Sequence, residues 1–231
     1  FHFNIDIEST NAVALAAAGR KENIYQLMYN VSKLLQNSKV NVRVIQRVGL
    51  PGETIELFER SFNKIYNLGA DEFDIEVLRI KKGTMFRQKA DEFGYEYSRE
   101  YPNEVITNDY ISAANIVRIK LVAETVKRFE RGFEDSIGKI LFDAGMKPFA
   151  FFDGLTSFIM ENDLTCKLDK EENLYRVLYT YAAEIYDKNE DTLKLQVLQE
   201  VLHSDMNNNV SQDVIRRLER KGWEIHVKAK S

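Results

Sequence analysis

The 231 residues hold one cysteine, three prolines, three histidines and one tryptophan, and each shortage closes off a class of protein. A single thiol, Cys166, excludes an intramolecular disulfide and any metal site built from several thiolates of this chain. It points to a reducing, cytoplasmic setting. With three prolines and eleven glycines, long stretches run uninterrupted, which suits helices better than a turn-rich all-β fold. His2, His203 and His226 are scattered, none four residues from another ligand type, which argues against a zinc site. Neither charge sign dominates: 32 basic residues face 36 acidic ones, net -4, so no global basic field advertises nucleic acid or an anionic membrane. No apolar run approaches the roughly 20 residues a membrane span requires, and the longest candidate, Ala12 to Ala18, is an alanine-rich half of a helix. Phosphate-loop, nucleophile-elbow and zinc-protease motifs are missing too. Without an initiator methionine or a signal peptide, the chain is expected to begin inside a longer protein.

What is present is 44% hydrophobic and 29% charged, enough for a buried core and a solvated surface, and too apolar for intrinsic disorder. Phe1 to Ser9 alternates Phe1, Phe3, Ile5 and Ile7 with His2, Asn4, Asp6 and Glu8, the period-2 pattern of a strand. Asn23 to Gln36 places Ile24, Leu27, Met28, Val31, Leu34 and Leu35 at helical spacing. Val40 to Val48 is β-branched and runs into Gly49-Leu50-Pro51-Gly52. Thr54 to Leu68 is helical up to Gly69, and Phe73 to Ile80 reads as a third strand. This β-α-β-α-β order predicts a parallel sheet with right-handed crossovers.

Parallel strands covered on both faces read as near-continuous apolar runs, and these do not. The second strand presents Asn41, Arg43 and Arg47 on one face, and the third presents Asp74 and Glu76. Two readings stay open: the wet interior of an open barrel, or a small α/β sheet with one solvated face. Asp6, Arg43 and Glu76 are expected to point toward a common hollow.

Beyond about residue 85 the composition changes. Phe86 to Asn108 is aromatic and charged with little periodicity and reads as a connector. Helices follow over roughly 112–130, 134–143, 149–161, 173–187, 191–205 and 211–220, with Trp223 to Val227 as a short strand or an ordered tail. The domain assignment is a sheet-bearing part at 1–84, a connector at 85–105 and a helical domain at 106–231. Phe149, Phe151, Phe152 and Phe158 read as core rather than as a binding patch. Arg216, Arg217, Arg220 and Lys221 make one basic helix face, while residues 161–205 carry 11 acidic against 5 basic side chains. Such complementary segments are more simply solvated faces, or neighbours packed together, than a nucleic-acid contact.

Two stretches could carry chemistry. Gly49-Leu50-Pro51-Gly52-Glu53-Thr54 joins a strand to a helix, where α/β folds bind ligands; the plainer reading is a tight turn with Thr54 capping the helix. Glu8, Ser9 and Thr10 end the first strand with a carboxylate and two hydroxyls, able to hold ribose hydroxyls, and Arg20 could bind a carboxylate bidentately. The plainer reading makes Ser9 or Thr10 a helix cap and Arg20 a solvated residue.

Together these segments resemble the second half of the radical S-adenosylmethionine barrel. The resemblance lies in Ile7-Glu8-Ser9-Thr10-Asn11, in Gly19-Arg20, twelve positions after Glu8, and in Val48-Gly49-Leu50-Pro51-Gly52-Glu53-Thr54. Ser61 to Lys64, Leu78 to Thr84, Gly94-Tyr95 and Tyr101 to Val105 are similar, more narrowly, to cobalamin-binding-type iron-sulfur oxidoreductases with a helical C-terminal domain of unknown function. The resemblance implies that Glu8 and Ser9 contact the cofactor's ribose and methionine part, that Arg20 pairs with its carboxylate, and that Gly49 and Leu50 pack near its adenine. It implies S-adenosylmethionine and a 4Fe-4S cluster in the whole enzyme, with cobalamin where a cobalamin domain precedes the barrel. The helical domain would then cover the side where a small-molecule substrate enters. Two departures stand out. The CxxxCxxC loop that holds the cluster is missing, so the missing amino-terminal half of the barrel would have to supply it. Ile45 also stands where relatives have an aspartate. The chain alone is therefore expected to be an inactive C-terminal fragment, whose uncovered sheet edges and helix faces would favour a homodimer. The competing reading is a non-catalytic interaction module, a degenerate relative without cofactor binding.

Overall fold

The computed structural model of the chain describes residues 1–21, 23–36, 40–129, 131–187 and 192–225. Its first elements follow the expected order: β1 (His2–Glu8), α1 (Ala12–Ala17), α2 (Ile24–Leu35), β2 (Asn41–Val48), α3 (Ile55–Tyr66) and β3 (Glu72–Val77). All three strands are parallel, in the order β1-β2-β3, and among the described residues they form an open sheet rather than a closed barrel.

The alternation in sequence becomes a two-faced sheet. Val42, Val44 and Val48 of β2 and Phe73 and Val77 of β3 are buried on one face, and Phe58, Phe62 and Ile65 of α3 are buried with them. The Phe62 and Phe73 rings meet edge-on with centroids 5.1 Å apart. Gln46 is the polar intruder on that face; its amide donates to the Phe58 carbonyl at 3.1 Å. The opposite face carries Asp6, Arg43, Arg47, Asp74 and Glu76, cross-linked by ion pairs. Asp6 and Glu76 share Arg47, whereas Arg43 turns to Asp74, so the expected hollow is lined by pairs rather than by free charges.

Local capping departs from expectation twice. Asn11, not Ser9 or Thr10, caps α1, with its side-chain oxygen accepting from the Val13 N–H at 3.0 Å. Thr54 occupies the cap position of α3, but its hydroxyl donates to Glu56 at 2.6 Å instead of accepting from the backbone.

After β3 come α4 (Met85–Gln88), β4 (Glu96–Tyr97) and β5 (Val105–Thr107), the last two an antiparallel pair. This segment, read as a connector, is folded against the turn after β2: Leu78 accepts from the Val105 N–H at 2.9 Å, and Tyr95 and Val105 are buried. α5 (Ala113–Phe129) follows, and the chain divides into compact units at 1–127 and 128–231, within the last turn of that helix.

The second unit contains α6 (Glu134–Ala144), α7 (Pro148–Glu161), α8 (Glu171–Asp187), α9 (Thr192–Asn209) and α10 (Gln212–Lys221). α9 packs on α6 and α8, and α8 also meets α7 and α10. Phe149, Phe151, Phe152 and Phe158 are all buried, as their helical spacing predicts. The complementary charges resolve as packing between neighbours: Lys221 and Arg217 of α10 reach Glu172 of α8 at 2.9 and 3.5 Å. Those cations hold the Glu172 carboxyl below its ordinary range, the Lys221 hydrogen bond foremost. Trp223 to Ile225 form no strand, and the remainder of the predicted tail, with His226, lies outside the described residues.

Candidate functional site

The sequence concentrates candidate residues at the carboxyl end of the parallel strands, the edge where α/β folds place their ligands. There β1 is irregular. The pairing register slips between Asp6 and Glu8, and Glu8 has φ +63°, a left-handed conformation that costs a non-glycine residue on the order of 1 kcal/mol. A bulge re-aims side chains. The consequence is that the Glu8 carboxylate meets two guanidinium groups. Arg20 donates through Nη2 to Oε1 at 2.8 Å and through Nε to Oε2 at 3.1 Å, and Arg47 Nε adds a 3.3 Å contact to Oε1.

Arg47 is the hub. Its Nη2 lies 3.0 Å from Asp6 and its Nη1 3.0 Å from Glu76. Burial alone would lower its pKa, but Asp6, Glu76 and Glu8 together outweigh that and raise it above the ordinary arginine value. Beside this network a cavity of about 160 Å³ is lined by Asp6, Ile7, Leu15, Arg20, Ile24 and Leu27.

Ser9 belongs to a different cluster. Its hydroxyl is fully buried, bonded to the Glu53 carboxyl, 3.1 Å from the Ser61 hydroxyl, and accepting from the Asn11 N–H at 2.9 Å. Ser61 in turn accepts from the Thr10 N–H at 3.0 Å. The cluster thus pins the end of β1 to the turn after β2 and to α3. Glu53 is 1% exposed and its Oε2 has no hydrogen-bond partner. Desolvation pushes its pKa up to about 8, outweighing the hydrogen bonds from Ser9 and Ser61, which pull it down. Neither Glu53 nor Ser61 stood out in the sequence as a site residue. An acidic residue just ahead of a helix reads as a solvated dipole partner, and only its position between two glycine-linked elements hints at burial.

Gly49 and Leu50 lie beneath the segment that follows β3. The Gly49 carbonyl accepts from the Tyr95 hydroxyl at 2.8 Å and from the Asn108 amide at 3.1 Å. Gly49 has φ +95°, and a Cβ there would come within 3.4 Å of Val105, so the turn needs glycine. Leu50 is completely buried. Ile45 is buried as well. Glu8 and Arg20 are thus brought into direct contact, while Ser9, Gly49 and Leu50 support the same strand ends without presenting side chains to the cavity.

As for metals, no group of three or more histidine, cysteine, aspartate or glutamate side chains is arranged to hold an ion among the described residues, and Cys166 is exposed. No helix among them is long and apolar enough to cross a membrane.

Residues 91–229 match the family model of a protein of unknown function, DUF4080, which spans well over half of the chain. The chain belongs to the DUF4080 family. The DUF4080 match begins just after α4 and runs through the helical unit, leaving β1 to β3 and the Glu8 network ahead of it. No curated protein matches the chain.

Proposed function

We propose that this chain is the second half of a radical S-adenosylmethionine barrel joined to its DUF4080 region, and that Glu8 and Arg20 form part of the cofactor pocket. The observation that carries the reading is the Glu8–Arg20 pair at the carboxyl end of a parallel sheet, a carboxylate and a guanidinium side by side. A zwitterionic ligand with a ribose finds partners for both of its polar ends there: Glu8 accepts from vicinal hydroxyls, and Arg20 holds the ligand carboxylate. Arg20 is the member able to swing toward a ligand, its side chain being 38% exposed against 19% for Arg47. Ser9, Gly49 and Leu50 act behind them, fixing the strand end and the turn near which the adenine would pack.

This chain's donor set does not fit a 4Fe-4S cluster, because Cys166 stands alone. The cluster, which supplies the electron for reductive cleavage, belongs in this reading to a preceding half barrel that pairs with the open edge of β1, where Phe1 and Phe3 are exposed. A cobalamin domain and a small-molecule substrate enter on the same terms. The 160 Å³ cavity is below the roughly 300 Å³ at which ligand pockets begin, so the chain alone is expected to bind no S-adenosylmethionine and to be inactive.

One observation favours the interaction-module reading. Arg47 already satisfies Asp6, Glu8 and Glu76, so the polar face is complete without a ligand. Equilibrium dialysis of the longer, cluster-loaded protein separates the two. Under the cofactor reading Arg20→Gln weakens S-adenosylmethionine binding at least about tenfold at unchanged iron content, as expected for a charged hydrogen bond worth roughly 1.5–3 kcal/mol. Unchanged affinity, or a preceding segment without three clustered cysteines, would overturn it.

A further inference from the structure

A second cavity, larger than the one beside Glu8, lies in the segment after β3. It measures about 660 Å³ and is lined by Lys82, Arg87, Arg99, Tyr95, Tyr97 and Asn103, with Glu96 and Ile106 completing the wall. That volume falls within the range of roughly 300–1,000 Å³ typical of small-molecule sites.

Its charge is unusual for a chain of net -4. On the polar sheet face Arg43 and Arg47, and after α1 Arg20, are all paired with carboxylates. Lys82, Arg87 and Arg99, by contrast, have no ion pair among the described residues, and Glu96 is the single carboxylate in the wall. Three cations around one concavity, set against the single carboxylate of Glu96, give it a local positive potential that favours an anion.

The wall is also shaped. The Arg87 guanidinium lies over the Tyr97 ring, 4.5 Å from its centroid, a cation–π contact that restrains the side chain at the cavity wall. Asn103 donates to the Ser98 and Arg99 carbonyls at 3.0 and 3.2 Å, holding the loop that carries Arg99. Tyr95 spends its hydroxyl on Gly49 and contributes only its ring.

The geometry points to a binding site for a phosphorylated small molecule, with Arg87 and Arg99 gripping the phosphate oxygens and Lys82 adding a third charge. Guanidinium forks match phosphate bidentately, and the tyrosine rings leave room for an organic body up to nucleotide size. The site requires neither cluster nor cofactor, so it stands or falls independently of the Glu8–Arg20 reading.

Titration calorimetry of the 231-residue chain with pyrophosphate, with citrate as the carboxylate arm, tests it. Pyrophosphate should bind with Kd below about 1 mM and citrate at least about tenfold more weakly, because each phosphate offers more acceptor oxygens and more charge to the clustered cations than a carboxylate does. Arg99→Gln and Lys82→Gln, both at exposed positions, should each weaken pyrophosphate severalfold, and Arg87→Gln with Arg99→Gln should abolish it. Lys64→Gln, the same charge change on the exposed side of α3, should have no effect. No heat with pyrophosphate, equal affinity for citrate, or equal weakening by Lys64→Gln would overturn the proposal.

Discussion

Replacing Glu53 by glutamine should make the protein more stable, by an amount that depends on pH. The carboxyl is 1% exposed, and burial lifts its pKa from an ordinary 4.5 to about 8. An acid whose folded pKa is raised binds its proton more tightly in the native state, so unfolding releases a proton between those two values and stability falls as pH rises through the window. Below pH 4.5 both states are protonated and there is no penalty; above pH 8 the native state has ionised and the penalty is constant. At about 1.4 kcal/mol per pH unit, the cost is about 3 kcal/mol at pH 7 and about 5 kcal/mol above pH 8. These are ceilings, because water entering on ionisation relieves part of the burial. Glutamine cannot ionise, and its Oε1 can still accept from Ser9, while its extra N–H takes the place of an oxygen that already lacks a partner. That leaves a constant offset, so the slope carries the test. Urea unfolding of both proteins from pH 5 to 9, followed by far-UV circular dichroism and by amide exchange in β1 and β2, reads it out. Exchange is needed because the only tryptophan, Trp223, lies in the other compact unit. The Glu53→Gln advantage should grow by about 3 kcal/mol between pH 5 and 8 and then level. Parallel pH profiles for the two proteins would refute the buried neutral acid.

Arg47→Met keeps the aliphatic stem and deletes the charge shared by Asp6, Glu8 and Glu76; because these carboxylates are only partly buried, a loss of about 2 kcal/mol is expected rather than the roughly 3–5 of a fully buried pair, visible as a lower urea midpoint. Tyr95→Phe removes one of two donors to the Gly49 carbonyl while Asn108 keeps the other, so about 1 kcal/mol should be lost, with faster amide exchange in residues 49–53 as the local signature.

The three strands and most helices were legible because their apolar residues recur at periods of 2 and 3.6, and burial against α3 is what those periods encode. Side-chain parity also placed Asp6, Arg43, Arg47 and Glu76 on one face. Parity says nothing of which charge meets which, and here Arg47 takes three carboxylates while Arg43 takes one. The bulge was invisible for a related reason: Ile7-Glu8-Ser9 continues the alternation, and nothing in residue type announces a glutamate at φ +63°. β4, at two residues, is too short to show a period, so a folded segment read as a connector. Glu53 was missed because composition rules place acids outside, and a carboxyl that stays protonated escapes the rule.

The charge balance at the end of β1 bears on what could bind there. Asp6, Glu8 and Glu76 face Arg20 and Arg47, three carboxylates against two guanidiniums. Among the described residues that form these ion pairs the surplus is one negative charge. A ligand that displaces Arg20 from Glu8 must therefore bring positive charge of its own, or leave two carboxylates uncompensated where Glu8 has only 11% of its side chain in water. A purely anionic ligand fails that condition, whereas a zwitterion with an additional cationic centre meets it: its carboxylate receives the released Arg20 and its net positive charge offsets the surplus at this strand end. S-adenosylmethionine, whose sulfonium adds one positive charge to an amino acid, has that composition. The cavity of Lys82, Arg87 and Arg99, three cations against Glu96, carries the opposite charge balance.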